Sequence, residues 1–154
     1  MTAKPKPVKQ PKRKRKVVSE RHRLEKRLDD LVSTIVILRD GHCVCCGRED
    51  GLTCGHFVAR GKGRVRWDLQ NTNCQCVGCN LRHNQYPQRY TRYIESHYGL
   101  GVLHRLQDAE DDSYYLWSVV DLRELEESLL PILEHVLSIQ EDALRVEWAI
   151  NRLK

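Results

Sequence analysis

Two cysteine pairs stand at metal-gripping spacing: Cys43 with Cys46, and Cys76 with Cys79. A C-x-x-C knuckle turns the chain so that both sulfurs face one point, and two knuckles supply the four tetrahedral thiolates that zinc prefers. Gly47 and Gly78 ease the two turns. All seven cysteines fall between residues 43 and 79. The odd number, without a secretory leader, argues for metal rather than a disulfide framework. Cys45, Cys54 and Cys74 are left over, and small buried thiols are the expected role of the last two. So irregular a region cannot bury enough apolar surface to hold itself, and a structural Zn²⁺ would contribute its fold directly.

Twenty-nine residues separate Cys46 from Cys76, so something sizeable is inserted between the knuckles. The insert carries Gly55-His56-Phe57, a basic stretch Ala59–Gly63, and Arg66-Trp67 followed by Asn71; beyond Gln75-Cys76 and Cys79 come Asn80, His83 and Asn84. A His on a first strand, an Asn five residues before a C-x-x-C, and an Asn or His directly after the last Cys resemble the pattern of HNH (ββα-metal) nucleases. More narrowly, the run from Cys43 to about Gly99, with Tyr90 and its basic neighbours, resembles the phage recombination protein NinG (Rap) family.

The resemblance implies a metal-dependent endonuclease that hydrolyses phosphodiester bonds in branched or recombination-intermediate DNA. His56 is implied as the general base, because neutral imidazole takes a proton from water at physiological pH. Asn71 would hold the loop and orient His56. Asn80, with His83 or Asn84 completing the site, would present ligands to a catalytic Mg²⁺ or Mn²⁺, ions that favour oxygen. Each has a plainer reading beside it: a structural histidine for His56, a turn residue for Asn71, a helix N-cap for Asn80 and a polar helix-face residue for His83. Many HNH sites carry a metal-ligating Asp or His immediately before the base; here that place is Gly55, so the first metal ligand is unassigned. A non-catalytic zinc module that binds nucleic acid is the alternative function.

Charge favours a polyanionic partner. The net charge of +5 is segregated: residues 1–19 hold eight Lys/Arg and no acid, residues 56–92 sum to +6, and residues 107–154 sum to −8. Arg60, Lys62, Arg64, Arg66, Arg82, Arg89 and Arg92 are the expected phosphate contacts. Tyr86, Tyr90 and Tyr93 could stack on exposed bases, although Tyr90 and Tyr93 follow helical spacing and suit a core. DNA is the expected partner, with a homodimer as one way to cut two strands symmetrically. No apolar run is long enough to span a bilayer, and the basic start is no secretory signal. The chain is expected in the cytoplasm, that of the host cell if phage-encoded.

These residues need elements to position them. The expected class is α+β: a small ββα-metal core stapled by a four-cysteine zinc, flanked by N-terminal and C-terminal helices. Residues 1–18 read as a disordered basic tail. Leu24, Leu28, Leu31, Val32, Ile35 and Val36 mark an amphipathic helix over 20–39, stopped by Gly41. The nuclease core covers 41–99, with strands at 52–57 and near 64–68 and a short helix after Cys79. Pro87 opens a helix ending at Gly99, and another covers 100–108. The acidic run 110–112 reads as a loop. A helical extension fills the rest of 100–154. Ser118 and Asp121 cap its long helix, which Pro131 should kink or split, and Ser138 with Glu141 caps a last one.

Overall fold

A computed structural model describes residues 18–111, 115–140 and 143–153. The basic tail, apart from Val18, and Glu141 lie outside them. The elements are α1 (Glu20–Asp40), β1 (Leu52–His56), β2 (Thr72–Cys76), α2 (Val77–Arg82), α3 (Gln88–Tyr98), α4 (Leu100–Asp111), α5 (Val119–Ser138) and α6 (Ala143–Leu153). The result is a helix-rich α+β fold around one two-stranded antiparallel sheet.

α1 begins where the Ser19 hydroxyl accepts the His22 amide, and ends where Gly41, at φ 67°, returns its N–H to the Ile37 carbonyl. That left-handed cap is why glycine stands there. The apolar stripe of α1 is buried against Leu122, Leu129, Leu133 and Val136 of α5, and Trp67 and Cys74 join the same core. Arg27 bridges the two helices, its Nε and Nη2 donating to the two Glu126 carboxylate oxygens at 2.6 and 2.7 Å. A second core gathers Val58, Val65, Tyr90, Ile94, Leu103 and Leu106 around α3 and α4.

β1 pairs with β2 so that Cys54 faces Cys74 and His56 faces Thr72. The second strand is therefore not the 64–68 stretch. That stretch is a 3-10 turn at Gly63–Val65 followed by further turns. Its alternation of basic and apolar residues imitates a strand because Val65 and Trp67 are both buried, but in different cores. It is a crossover between two interiors. β2 escapes a hydropathy reading because it is buried at all five positions while carrying Asn73 and Gln75.

The other departures are local. α2 starts before Cys79, with Cys76 as its N-cap, so Asn80 sits inside the helix and does not cap it. α4 runs to Asp111, so Glu110 and Asp111 are helical. α5 carries the Ser118–Asp121 capping box and continues unbroken through Pro131 to Ser138. Ser138 closes α5, its hydroxyl donating to the His135 carbonyl at 2.7 Å, rather than opening α6.

Candidate functional site

The sulfurs of Cys43, Cys46, Cys76 and Cys79 lie within 4.8 Å of one another. Tetrahedral zinc at ~2.3 Å from each sulfur requires sulfurs about 3.8 Å apart, and Cys46 and Cys76 stand at 3.8 Å. The donor set therefore fits a structural zinc. The first knuckle is tied to the sheet, since the Val44 amide donates to the Cys74 carbonyl at 2.8 Å. Gly47 needs its φ of 76°; Gly78 has no positive φ and is an ordinary helical position. Burial pushes the Cys43 thiol up, but backbone N–H groups around it outweigh this and bring it down to about 7. Cys74 is a buried thiol, whereas Cys54 is half-buried and lines the cleft beside His56; desolvation pushes each up to about 12. Cys45 accepts the Gln75 amide at 3.0 Å.

His56 ends β1 and lines a cleft of about 370 Å³ beside α1. Its Nε2 lies 3.0 Å from the Arg66 carbonyl. A carbonyl only accepts, so Nε2 carries the proton and Nδ1 the lone pair. Nδ1 has no partner among the described residues and is not among their buried unpaired atoms. Burial lowers the His56 pKa, partly opposed by the Arg66 hydrogen bond. The ring is thus held as neutral imidazole.

Asn71 is fully buried. Its Oδ1 accepts the Val58 amide at 2.7 Å, and its Nδ2 donates to the carbonyls of Val58 at 3.1 Å and Val65 at 2.8 Å. It staples the Phe57–Asn71 loop, and its side chain makes no hydrogen bond to His56. Its influence on the ring runs through the loop that carries Arg66.

Sequence reasoning missed Asp29. This α1 side chain accepts Arg66 Nε at 3.0 Å and Nη2 at 2.7 Å, Trp67 Nε1 at 2.9 Å and Arg60 Nη2 at 2.8 Å. It fixes the very residue whose carbonyl holds His56. In sequence Asp29 is one acid on an amphipathic helix, with nothing to single it out. Its bonds also commit two of the expected phosphate contacts, Arg60 and Arg66, to a carboxylate.

Asn80 donates to the Thr53 hydroxyl at 3.2 Å, and Thr53 lines the His56 cleft. His83 points elsewhere. Its Nε2 lies 3.0 Å from the Phe57 carbonyl, it packs beside Phe57 and Tyr90, and its Nδ1 is buried without a partner. α2 stops at Arg82, so no helical face carries Asn80 on to Asn84, which is exposed. The glycine before His56 is explained by packing: a Cβ on Gly55 would stand 2.0 Å from Gln75 Oε1. A side chain where many HNH sites place a ligand would require the buried Gln75 side chain to move.

Of the remaining cations, Arg64 lies 5.9 Å from the Tyr115 ring centre and Lys62 is half-buried beside the 3-10 turn. Arg82, Arg89 and Arg92 line a second cleft, against the cysteine cluster. Tyr90 is core, its hydroxyl donating to the Gly55 carbonyl at 3.1 Å.

The family described as Bacteriophage Lambda NinG protein matches residues 2–134. The chain belongs to the NinG family. No curated protein and no solved structure matches it. The NinG match covers both knuckles, the stapled loop, α3, α4 and most of α5, and no helix among the described residues is long and apolar enough to cross a membrane.

Proposed function

We propose that this NinG-family chain is a metal-dependent DNA endonuclease of the HNH type, with His56 as its general base. The observation that carries the reading is the His56 imidazole: Nε2–H tied to the Arg66 carbonyl, burial favouring the neutral ring, Nδ1 left with its lone pair. In this reading Nδ1 takes the proton from the attacking water. Asn71 and Asp29 hold the loop that fixes the tautomer. Asn80 commits its amide nitrogen to Thr53, which leaves its oxygen as a ligand for Mg²⁺ or Mn²⁺. Such a cation, when bound, supplies charge stabilisation at the scissile phosphate and leaving oxygen. The preference for branched or recombination-intermediate DNA rests on family resemblance. Dimerisation through the C-terminal helices would let two strands be cut symmetrically.

One observation favours a non-catalytic nucleic-acid module instead. Gly55 offers no ligand, both Asp29 oxygens are engaged by Arg60, Arg66 and Trp67, and Asp30, the other carboxylate lining the cleft among the described residues, is paired with Lys26 at 2.9 Å, so each carboxylate beside His56 already has a cationic partner.

The test is cleavage of labelled four-way junction, flap and linear duplex DNA, with Mg²⁺ or EDTA, beside a zinc-loaded His56→Ala variant. Mg²⁺-dependent nicking that vanishes in the variant supports the proposal. Salt-sensitive binding without nicking under Mg²⁺ or Mn²⁺ makes the chain a binding module.

A further inference from the structure

We infer that the cleft between the cysteine knuckles and α3 is a separate binding site for an unpaired nucleic-acid strand. The inference rests on the reading of nucleic acid as partner and not on cleavage at His56. The cleft measures about 1050 Å³ and shares no lining residue with the His56 cleft. Arg48 reaches it from the first knuckle, Arg82 from the end of α2, and Arg89 and Arg92 from α3, with no Asp or Glu in its walls.

The charge of these arginines is largely uncompensated. All four are exposed. Arg82, Arg89 and Arg92 form no ion pair among the described residues, and Arg48 has one loose contact of 3.5 Å to Asp50, with both side chains mostly in solvent. A zinc held by four thiolates carries a formal charge of about −2, so it offsets only half of the four guanidinium charges. In the His56 cleft, by contrast, Arg60 and Arg66 share Asp29, Lys26 pairs with Asp30, and Arg152 bonds the Ser33 hydroxyl. Both clefts keep a net positive charge, but the arginines without a close carboxylate among the described residues are gathered mostly on the cysteine side. Phosphate oxygens are their natural complement.

Tyr86 decides between duplex and single strand. It lines the cleft and is 66% exposed. Tyr90, Tyr93, Tyr98 and Tyr115 each pack against another ring, whereas Tyr86 has no ring partner among the described residues. An aromatic face left in solvent beside unpaired guanidiniums is the arrangement that stacks a base while phosphates are held. A duplex hides its base faces and could use only the arginines.

The experiment measures anisotropy of a labelled mixed-sequence single strand and of the matching duplex against the full-length zinc-loaded protein, over a range of salt. The basic tail is present in every variant, so differences report the cleft. Arg89→Gln with Arg92→Gln should weaken single-strand binding roughly ten-fold and flatten the logarithmic salt slope by about 1.4, two contacts at ~0.7 each. Tyr86→Ala should weaken the single strand several-fold, leave the salt slope unchanged and reduce the preference over duplex. His56→Ala should bind as the parent does. Parental affinity and slope in the double arginine variant would overturn the inference, as would equal loss of duplex and single strand in Tyr86→Ala. A chain that shows the expected pattern but never cuts DNA keeps this site and loses the proposed reaction. One that cuts through His56 yet binds single strands without these residues does the reverse.

Discussion

The α1–α5 layer and the Phe57–Asn71 loop are held by different forces. The helical layer is an apolar seam of Leu24, Leu28, Ile35, Leu122 and Leu129, in which any side chain of similar shape would serve. The loop has a few apolar anchors, and its path is set by named polar bonds: Asn71 to both backbone groups of Val58, and Asp29 to Arg66 and Trp67, with the cysteine cluster at the other end of the hairpin. One region should tolerate exchange, whereas the other should fail at single atoms. The candidate chemistry sits on the second, where a tautomer or a carbonyl direction must be fixed.

Zinc removal should break that contrast most strongly. Structural zinc sites contribute on the order of 10 kcal/mol to folding. Chelation should abolish amide protection across residues 43–82 and largely spare the α1–α5 seam, as hydrogen exchange would read. Simultaneous collapse of both regions would mean that they are one cooperative unit.

Next come paired substitutions. Asn71→Ala leaves three buried backbone groups unpaired and should cost about 3–5 kcal/mol in urea unfolding. Leu28→Ala should cost about 3 kcal/mol through its cavity. The two are alike in stability and should differ in function: at confirmed folding, Asn71→Ala loses cleavage, while Leu28→Ala keeps it.

Asp29→Asn sharpens the comparison at smaller scale. Weakening the clamp on Arg66 should slow cleavage roughly ten-fold with only a modest change in unfolding midpoint. A shift in the pH profile separates positioning from bulk stability. The Asp29 charge raises the His56 pKa while Arg60 and Arg66 lower it, so its loss should move the acid limb to still lower pH. An unmoved limb would make Asp29 merely structural.

The same contrast explains what could be read before any coordinates. α1, α3 and α5 were legible because apolar periodicity and caps such as Gly41 and Ser118 are local signals. The knuckles were legible because C-x-x-C spacing is itself geometry, and Asn71 as loop holder because its position relative to Cys76 is part of a motif. β2 was not, since Asn73 and Gln75 are buried by hydrogen bonding that hydropathy does not register. Asp29 was not, because its partners lie more than thirty residues away. Gly55 reads in sequence as a missing ligand, and in the fold it is where the Gln75 side chain packs against the strand.

The most direct test of the central claim is nitrogen NMR of His56 across pH in the zinc-loaded protein. Nε2 should carry the proton of a neutral ring whose titration midpoint lies below ~6.5, the ordinary imidazole value, because burial disfavours the charged form. Nδ1 should be free to accept, and the acid limb of cleavage should follow the same titration. Because the folded pKa is depressed, any stability the neutral ring contributes is lost as pH falls through that midpoint. An Nδ1-protonated tautomer, or a midpoint above the ordinary value, would contradict His56 as the presented base.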